Sequence, residues 1–181
     1  MVRVLVEGQE WTSPDGRSAV RVIEVSSERS VVERLLRPKS GKDTAHLHRD
    51  WTQRFEVVEG EARIRVGKEA PRVLAAGETV EVAPGVGHID PWNESDAPTV
   101  TRNIVSPVTP FVHVVFATLG EALAAGRLDP QDSLTFFQMA AALHEGHADS
   151  WGEQPPIPIQ RLVIPVVAAV ARARGIRPVP A

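Results

Sequence analysis

The sequence predicts an all-β sandwich or barrel followed by a helical segment, and three observations lead there. From Val2 to about Val105, short β-rich runs alternate with turn residues and no helical spacing intervenes. After Pro107 the composition shifts to Ala, Leu and Phe at helical spacing. The chain has 181 residues, 43% of them hydrophobic and 24% charged, which is about one domain's length and enough to bury a core without disulfides.

The β runs are Val2–Glu7, Ala19–Val25, Val31–Arg37, Ala45–His48, Arg54–Val58, Ala62–Val66, Arg72–Ala75, Thr79–Val82 and Thr99–Val105. Ser13-Pro14-Asp15-Gly16 is a turn between the first two, and Glu59-Gly60-Glu61 reverses the chain between two alternating strands. Parity sorts the faces. With His46 and His48 inward, Ala45 and Leu47 face the other way. Gln53 falls on one face with the apolar Phe55 and Val57, so it is expected inside as well. In Thr99–Val105 the sets Val100, Arg102, Ile104 and Thr101, Asn103, Val105 are separated by parity but not oriented by it.

Beyond Pro107, Thr109-Pro110 reads as an N-cap and first-turn pair, and the helix it opens stops near Gly126. Asp129-Pro130 opens a second helix, which carries Leu134, Phe137, Ala141 and His144 and stops at Gly146. After the stiff Gln154-Pro155-Pro156-Ile157-Pro158 connector, a third helix runs to about Arg174, apolar on most sides between Leu162 and Val170. The expected organisation is a barrel over 1–107 and a helical extension over 108–181, packed on the barrel or across a dimer.

Charge and composition exclude several classes. A formal net charge of -3 offers no reason to expect nucleic acid or an acidic membrane as partner. Cysteine is absent, which removes disulfides, thiolate metal sites and a Cys nucleophile. Met1-Val-Arg-Val-Leu-Val-Glu lacks the apolar run of a signal peptide, so a cytoplasmic location is expected. Leu162–Ala171, interrupted by Pro165, falls short of the about 20 residues a membrane span needs. G-x-S-x-G, G-x-x-x-x-G-K and G-x-G-x-x-G are all missing, which sets aside elbow hydrolases, P-loop kinases and dinucleotide enzymes.

The chemistry concentrates in Gly41–Gly60 and Gly77–Asn93. His46 and His48 stand two apart in a strand, so both rings face one side and can share a metal ion. Pro84-Gly85-Val86-Gly87 then turns the chain before His88, a third imidazole aimed back at the pair. Three neutral imidazoles suit Fe, Ni, Cu or Zn. Two strand histidines facing a polar cavity is the plainer reading of the pair. Asp50 is a competing carboxylate that binds only if its loop bends inward. His144 and His147 are read as solvated at a helix end, and His113 as a packing residue.

These stretches resemble the two sequence motifs of the cupin superfamily over roughly Val2 to Pro107. Gly41, His46, His48 and Gly60 fall along the first, with Gln53 at the position that is usually Glu. Gly77, Gly85 and His88 fall along the second, with Pro84 and Asn93 each one residue late. The resemblance implies a double-stranded β-helix (jelly-roll) barrel holding Fe, Mn, Ni, Cu or Zn through three His and one Glu, here His46, His48, His88 and Gln53. A neutral carboxamide in place of a carboxylate leaves a divalent site one unit more positive, so the ion is expected to be held less tightly and to be more Lewis acidic. A site without metal, using the His cluster as acid and base, is the other outcome of that replacement. The activity implied is that of a metal-dependent enzyme acting on a small organic molecule, with dioxygenase-type oxidation first and non-redox isomerase, cyclase or lyase chemistry second. A small-ligand binding or sensing module is the third reading. Phe55 and Trp92 are expected to shape an apolar pocket and Arg102 to meet an anionic substrate, in a homodimer.

Overall fold

Strands whose alternate residues are apolar have one face to bury, and two such sheets packed face to face bury both. A computed structural model describes residues 5–129, 133–146 and 149–176 and has that arrangement. The strands before the helices are β1 (Glu10–Thr12), β2 (Ala19–Val25), β3 (Ser30–Leu36), β4 (His46–His48), β5 (Thr52–Glu59), β6 (Glu61–Val66), β7 (Arg72–Ala75), β8 (Thr79–Val82), β9 (His88–Trp92) and β10 (Thr99–Ser106). Then come α1 (Pro110–Ala124), α2 (Phe136–Glu145), β11 (Ser150–Gly152) and α3 (Ile157–Ala173). One sheet has six strands in the order β1-β2-β3-β10-β5-β8, the other five in the order β11-β4-β9-β6-β7. Their pairings are antiparallel, and the fold is a jelly-roll barrel with helices after it.

Two apolar clusters fill the structure. Phe55, Val57, Ala62, Ile64, Leu74 and Val82 close one part of the barrel. The other cluster runs from Val22, Val32, Trp51 and Val105 out to Trp11, Phe111, Phe116 and Leu123, joining the larger sheet to α1. A Cβ at Gly120 of α1 would stand 2.2 Å from the Trp11 ring, so the absence of a side chain there is what lets the indole lie on the helix. Gly60, in the β5–β6 reversal, has φ +77°, a conformation that glycine adopts without steric penalty.

The structure departs from the sequence expectations at the edges and at the helix starts. Of the expected Val2–Glu7 strand, residues 2–4 lie outside the described residues and residues 5–7 are not in a strand; β1 lies at Glu10–Thr12, where Trp11 is buried. β9 is a strand that periodicity misses. Pro91 reads as a breaker, but it sits where the β6–β9 register shifts between Arg63 and Arg65, a position that tolerates a missing N–H. Thr109 makes no side-chain cap. The second helix starts at Phe136 behind a capping box of Thr135 and Gln138; of the expected Asp129-Pro130 start, Pro130 lies outside the described residues and Asp129 accepts hydrogen bonds from Ser133. β11 lies between the expected second helix and the Gln154–Pro158 connector, where no strand is expected, and it pairs with β4.

Candidate metal centre

β4 is three residues long, and its alternation points His46 and His48 the same way. Antiparallel pairing sets His46 opposite His88 of β9. Gln53 of β5 faces in from the other sheet, beside Phe55 and Val57, as the burial of alternate residues requires. The ring centroids lie 4.9 Å apart for His46–His48, 4.4 Å for His46–His88 and 5.1 Å for His48–His88. One nitrogen from each histidine falls within 4.8 Å of the others, close enough for one ion to join them. Trp51 stacks on His48 at 3.5 Å and 21°, and Phe55 stands 6.1 Å from His88, so the polar cluster is held between the two apolar ones.

Hydrogen bonds at the outer nitrogens decide which atoms face the centre. His46 Nδ1 lies 2.7 Å from the Thr44 carbonyl and His88 Nδ1 3.0 Å from the Val86 carbonyl. A carbonyl only accepts, so both Nδ1 atoms carry hydrogen and, in the neutral rings, both Nε2 atoms present lone pairs. His48 Nδ1 is 2.8 Å from Ser150 Oγ of β11, and its buried Nε2 has no hydrogen-bond partner among the described residues. Gln53 Oε1 stands 2.9 Å from His88 Nε2; being an acceptor, it takes a hydrogen bond from that nitrogen when Nε2 carries hydrogen and is otherwise one more lone pair facing the centre. One oxygen of Asp90, Oδ1, is 3.5 Å from His46 Nε2 and 3.4 Å from His88 Nε2, yet it too is buried without a hydrogen bond among those residues. Asp43 closes the outer side, 3.9 Å from His46 Nδ1.

The electrostatics sort these groups. Burial, reinforced by the neighbouring His46 and His88, holds His48 well below the usual histidine range, so it stays neutral. Burial also depresses His46, but Asp43 and Asp90 outweigh it and the net shift is upward. Burial and then the charge of Asp90 push Asp43 up to about 6. Burial raises Asp90 too, but contact with His88 and the charge of His46 bring it below the ordinary carboxylate value. Lone pairs and a carboxylate oxygen converging with too few protons between them are satisfied by a cation, so the donor set fits a borderline divalent ion.

Residues 33–105 match the sequence profile of the Cupin domain family. The chain carries a cupin domain. Among solved structures it is similar to a conserved Klebsiella pneumoniae protein with a double-stranded β-helix domain, at 23% identity over 54% of this chain and 84% of that one, with a TM-score of 0.45. It is also similar to a cupin-superfamily sugar phosphate isomerase from Silicibacter pomeroyi, at 17% identity over 56% and 72%, with a TM-score of 0.47. A third is the oxalate decarboxylase of Lactobacillus farciminis, at 20% identity over 51% and 30%, with a TM-score of 0.42. No functionally curated protein matches the chain.

Within this cupin domain the structure brings His46, His48, His88, Gln53 and Phe55 together. Trp92 is buried, but its Nε1 donates to Glu94 and Lys42 Nζ stands 5.0 Å over its ring. Arg102 does not reach the site. It pairs with Glu33 at 3.0 Å and Glu56 at 3.8 Å, on the sheet face opposite the inward Thr101, Asn103 and Val105. The expectation that it meets substrate is therefore corrected, because neighbouring strands supply its carboxylates on the outside. Asp50 is exposed and is no ligand. His113 accepts the Leu5 N–H, as a packing residue does, and His144 is half-buried in the last turn of α2. His147 lies outside the described residues.

Sequence reading assigned no role to Asp43, Trp51, Ser150 or Glu153, and noted Asp90 only as a neighbour of His88. Residues 149–153 run along β4: Arg49 N–H donates to the Asp149 carbonyl, Ser150 pairs with His48, and Glu153 N–H donates to the Ala45 carbonyl. Glu153 also meets Arg65 at 2.6 Å and lies over Gly87, where an added Cβ would be 2.1 Å from its Oε1. The His-x-His spacing hinted at these partners only in requiring something to hold the outer nitrogens.

Proposed function

We propose that this cupin is a metal-dependent enzyme acting on a small organic molecule by dioxygenase-type oxidation. The observation that carries the reading is that His46, His48 and His88 bring one nitrogen each within 4.8 Å of one another, with their Nδ1 atoms already engaged by Thr44, Ser150 and Val86. His46, His48 and His88, with Gln53 beside His88, would hold Fe, Mn, Ni, Cu or Zn. Such an ion supplies Lewis acidity and, when redox-active, electron transfer to oxygen. The chain's own residues do the rest. Trp51 and Phe55 exclude water from the two flanks of the cluster, which strengthens every charge interaction inside. The least covered side is that of His46 and Asp43, whose side chains are 18% and 22% exposed while His88 is fully buried, so substrate approaches from there.

Non-redox isomerase, cyclase or lyase chemistry is the second reading, favoured by the neutral carboxamide of Gln53 next to His88. A binding or sensing role without turnover is the third. Elemental analysis of protein purified without chelators is expected to find about one equivalent of transition metal per chain. Less than a tenth of an equivalent, not restored by added Fe, Mn, Ni, Cu or Zn, overturns the metal reading. Turnover of candidate substrates that needs oxygen and stops on zinc substitution favours oxidation, turnover without oxygen favours the second reading, and saturable binding without turnover favours the third.

The same proposal covers setting and assembly: a cytoplasmic homodimer. Ile159, Leu162, Val163, Val166 and Val170 recur at helical spacing and lie exposed along α3, an apolar stripe that a second copy of the chain would cover.

A further inference from the structure

We propose that Asp90 is the anionic ligand of this centre and supplies the carboxylate that Gln53 lacks. The inference rests on the metal reading above and names a residue that neither motif assigns. Its ground is a mismatch of lone pairs. Thr44 and Val86 accept from Nδ1 of His46 and His88, so in the form of each ring that binds an ion the Nε2 lone pair turns inward. The same oxygen, Asp90 Oδ1, faces both, at 3.5 Å and 3.4 Å. It is buried and makes no hydrogen bond to any described residue. Acceptors at such separations in a buried site repel unless positive charge, a proton on His46 or a bound cation, lies among them, and of the two only a cation meets the lone pairs of all three rings at once.

Geometry places this carboxylate beside the inner nitrogens of two of the histidines. Asp90 stands two residues after His88 on β9, so strand alternation brings both to one side, as it does His46 and His48 on β4. Asp90 is near enough to share a cation with His46 and Asp43 in one grouping, and the three histidines form the other, so His46 joins the two. Charge arithmetic agrees. Three neutral imidazoles, a neutral carboxamide and the Asp90 carboxylate leave a divalent ion with a net charge of one, as three histidines and a glutamate would, while Asp43 stands outside this set, beyond the outer nitrogen of His46. The centre is thus not more positive than a carboxylate-containing one, and the consequence expected of Gln53 alone is cancelled from the opposite sheet. Gln53 is then a carboxamide beside His88 and not the ligand on which affinity depends.

The test uses the full-length protein freed of metal and titrated with Co2+, followed by its visible absorption and by competition with a chelator. Wild type is expected to bind one ion. Asp90→Asn should lower affinity at least about tenfold, since even outer-sphere partners of a ligand are worth that much, and should change the spectrum. Gln53→Ala should change affinity less than Asp90→Asn does. Asp90→Asn combined with Gln53→Glu should recover affinity by returning a carboxylate from β5. Asp90→Asn binding Co2+ with unchanged affinity and spectrum overturns the assignment while leaving the metal reading in place. Wild type that binds no ion overturns the metal reading, and the assignment with it. Should Asp90→Asn fail to fold, a crystal of the wild-type protein with Zn2+ decides. A carboxylate oxygen of Asp90 at about 2.0–2.2 Å from the ion supports the assignment, and an ion bound by the histidines with Asp90 out of reach overturns it.

Discussion

Ser150 Oγ lies 2.8 Å from His48 Nδ1 across 102 residues of chain, so a hydroxyl on the strand after α2 holds a histidine of the barrel. An Nδ1–H donated to Ser150 leaves Nε2 free to face the centre. Ser150→Ala is expected to lower the affinity for Zn2+ by about 10- to 100-fold. It should also destabilise the metal-free protein by about 1–3 kcal/mol, because the buried Nδ1 loses its partner. Ser150→Thr should behave as wild type. Calorimetric titration and urea denaturation read the two effects, and wild-type values for both in the Ala variant would sever the link between β11 and the centre.

Gly120→Ala sets two opposed effects against each other. Alanine gains about 1 kcal/mol of helix propensity over glycine in a helix interior. The added Cβ would stand 2.2 Å from the ring of Trp11, which is buried, so the ring or the helix has to shift. Overpacking of this kind costs about 1–3 kcal/mol, so net destabilisation is expected. A denaturation midpoint at or above wild type would show that Trp11 repacks freely.

His113 makes stability depend on pH. Its Nδ1 accepts the Leu5 N–H at 3.2 Å, and burial lowers its pKa from the ordinary 6.5. The unfolded ring takes up a proton before the folded one does. The stability it confers is therefore complete above 6.5 and is lost as pH falls through the lower, folded value. Between pH 8 and pH 5, wild type should lose more unfolding free energy than His113→Asn, which keeps an acceptor that does not titrate. Parallel curves for the two proteins would show that the ring does not titrate with folding. Faster exchange of the Leu5 amide at the lower pH would report the same loss locally.

Homodimerisation through α3 makes Val166 the most informative position. Its side chain is 64% exposed at the middle of the apolar stripe, so Val166→Glu should leave the monomer's stability nearly unchanged while placing a charge in the interface. Sedimentation should show wild type as a dimer at micromolar concentration and the variant as a monomer. A wild-type monomer, or a variant that still dimerises, would remove α3 from the interface.

What was legible in the sequence was what short-range periodicity carries. His46 and His48 share a side because a strand alternates, Gln53 follows Phe55 and Val57 inward for the same reason, and the glycines with His88 made the second half of the site readable. Arg102 was not orientable, because parity separates two faces without saying which is inside. Only the carboxylates of Glu33 and Glu56 on adjacent strands settled that. β9 was hidden by Pro91, whose missing N–H the register shift beside β6 accommodates.

The sequence by itself determined the class of the protein: a β-barrel with two histidines on one strand, a third after a turn, a carboxamide at the position that is usually Glu, and helices to follow. Only the tertiary structure brought Ser150 to His48, Glu153 over Gly87 and the oxygen of Asp90 within 3.5 Å of both His46 and His88. The division has a physical cause. Alternation along a strand is fixed by backbone geometry within a few residues. Which strands become neighbours is decided by burying apolar faces and pairing backbone groups across the whole chain, and that sum has no local signature.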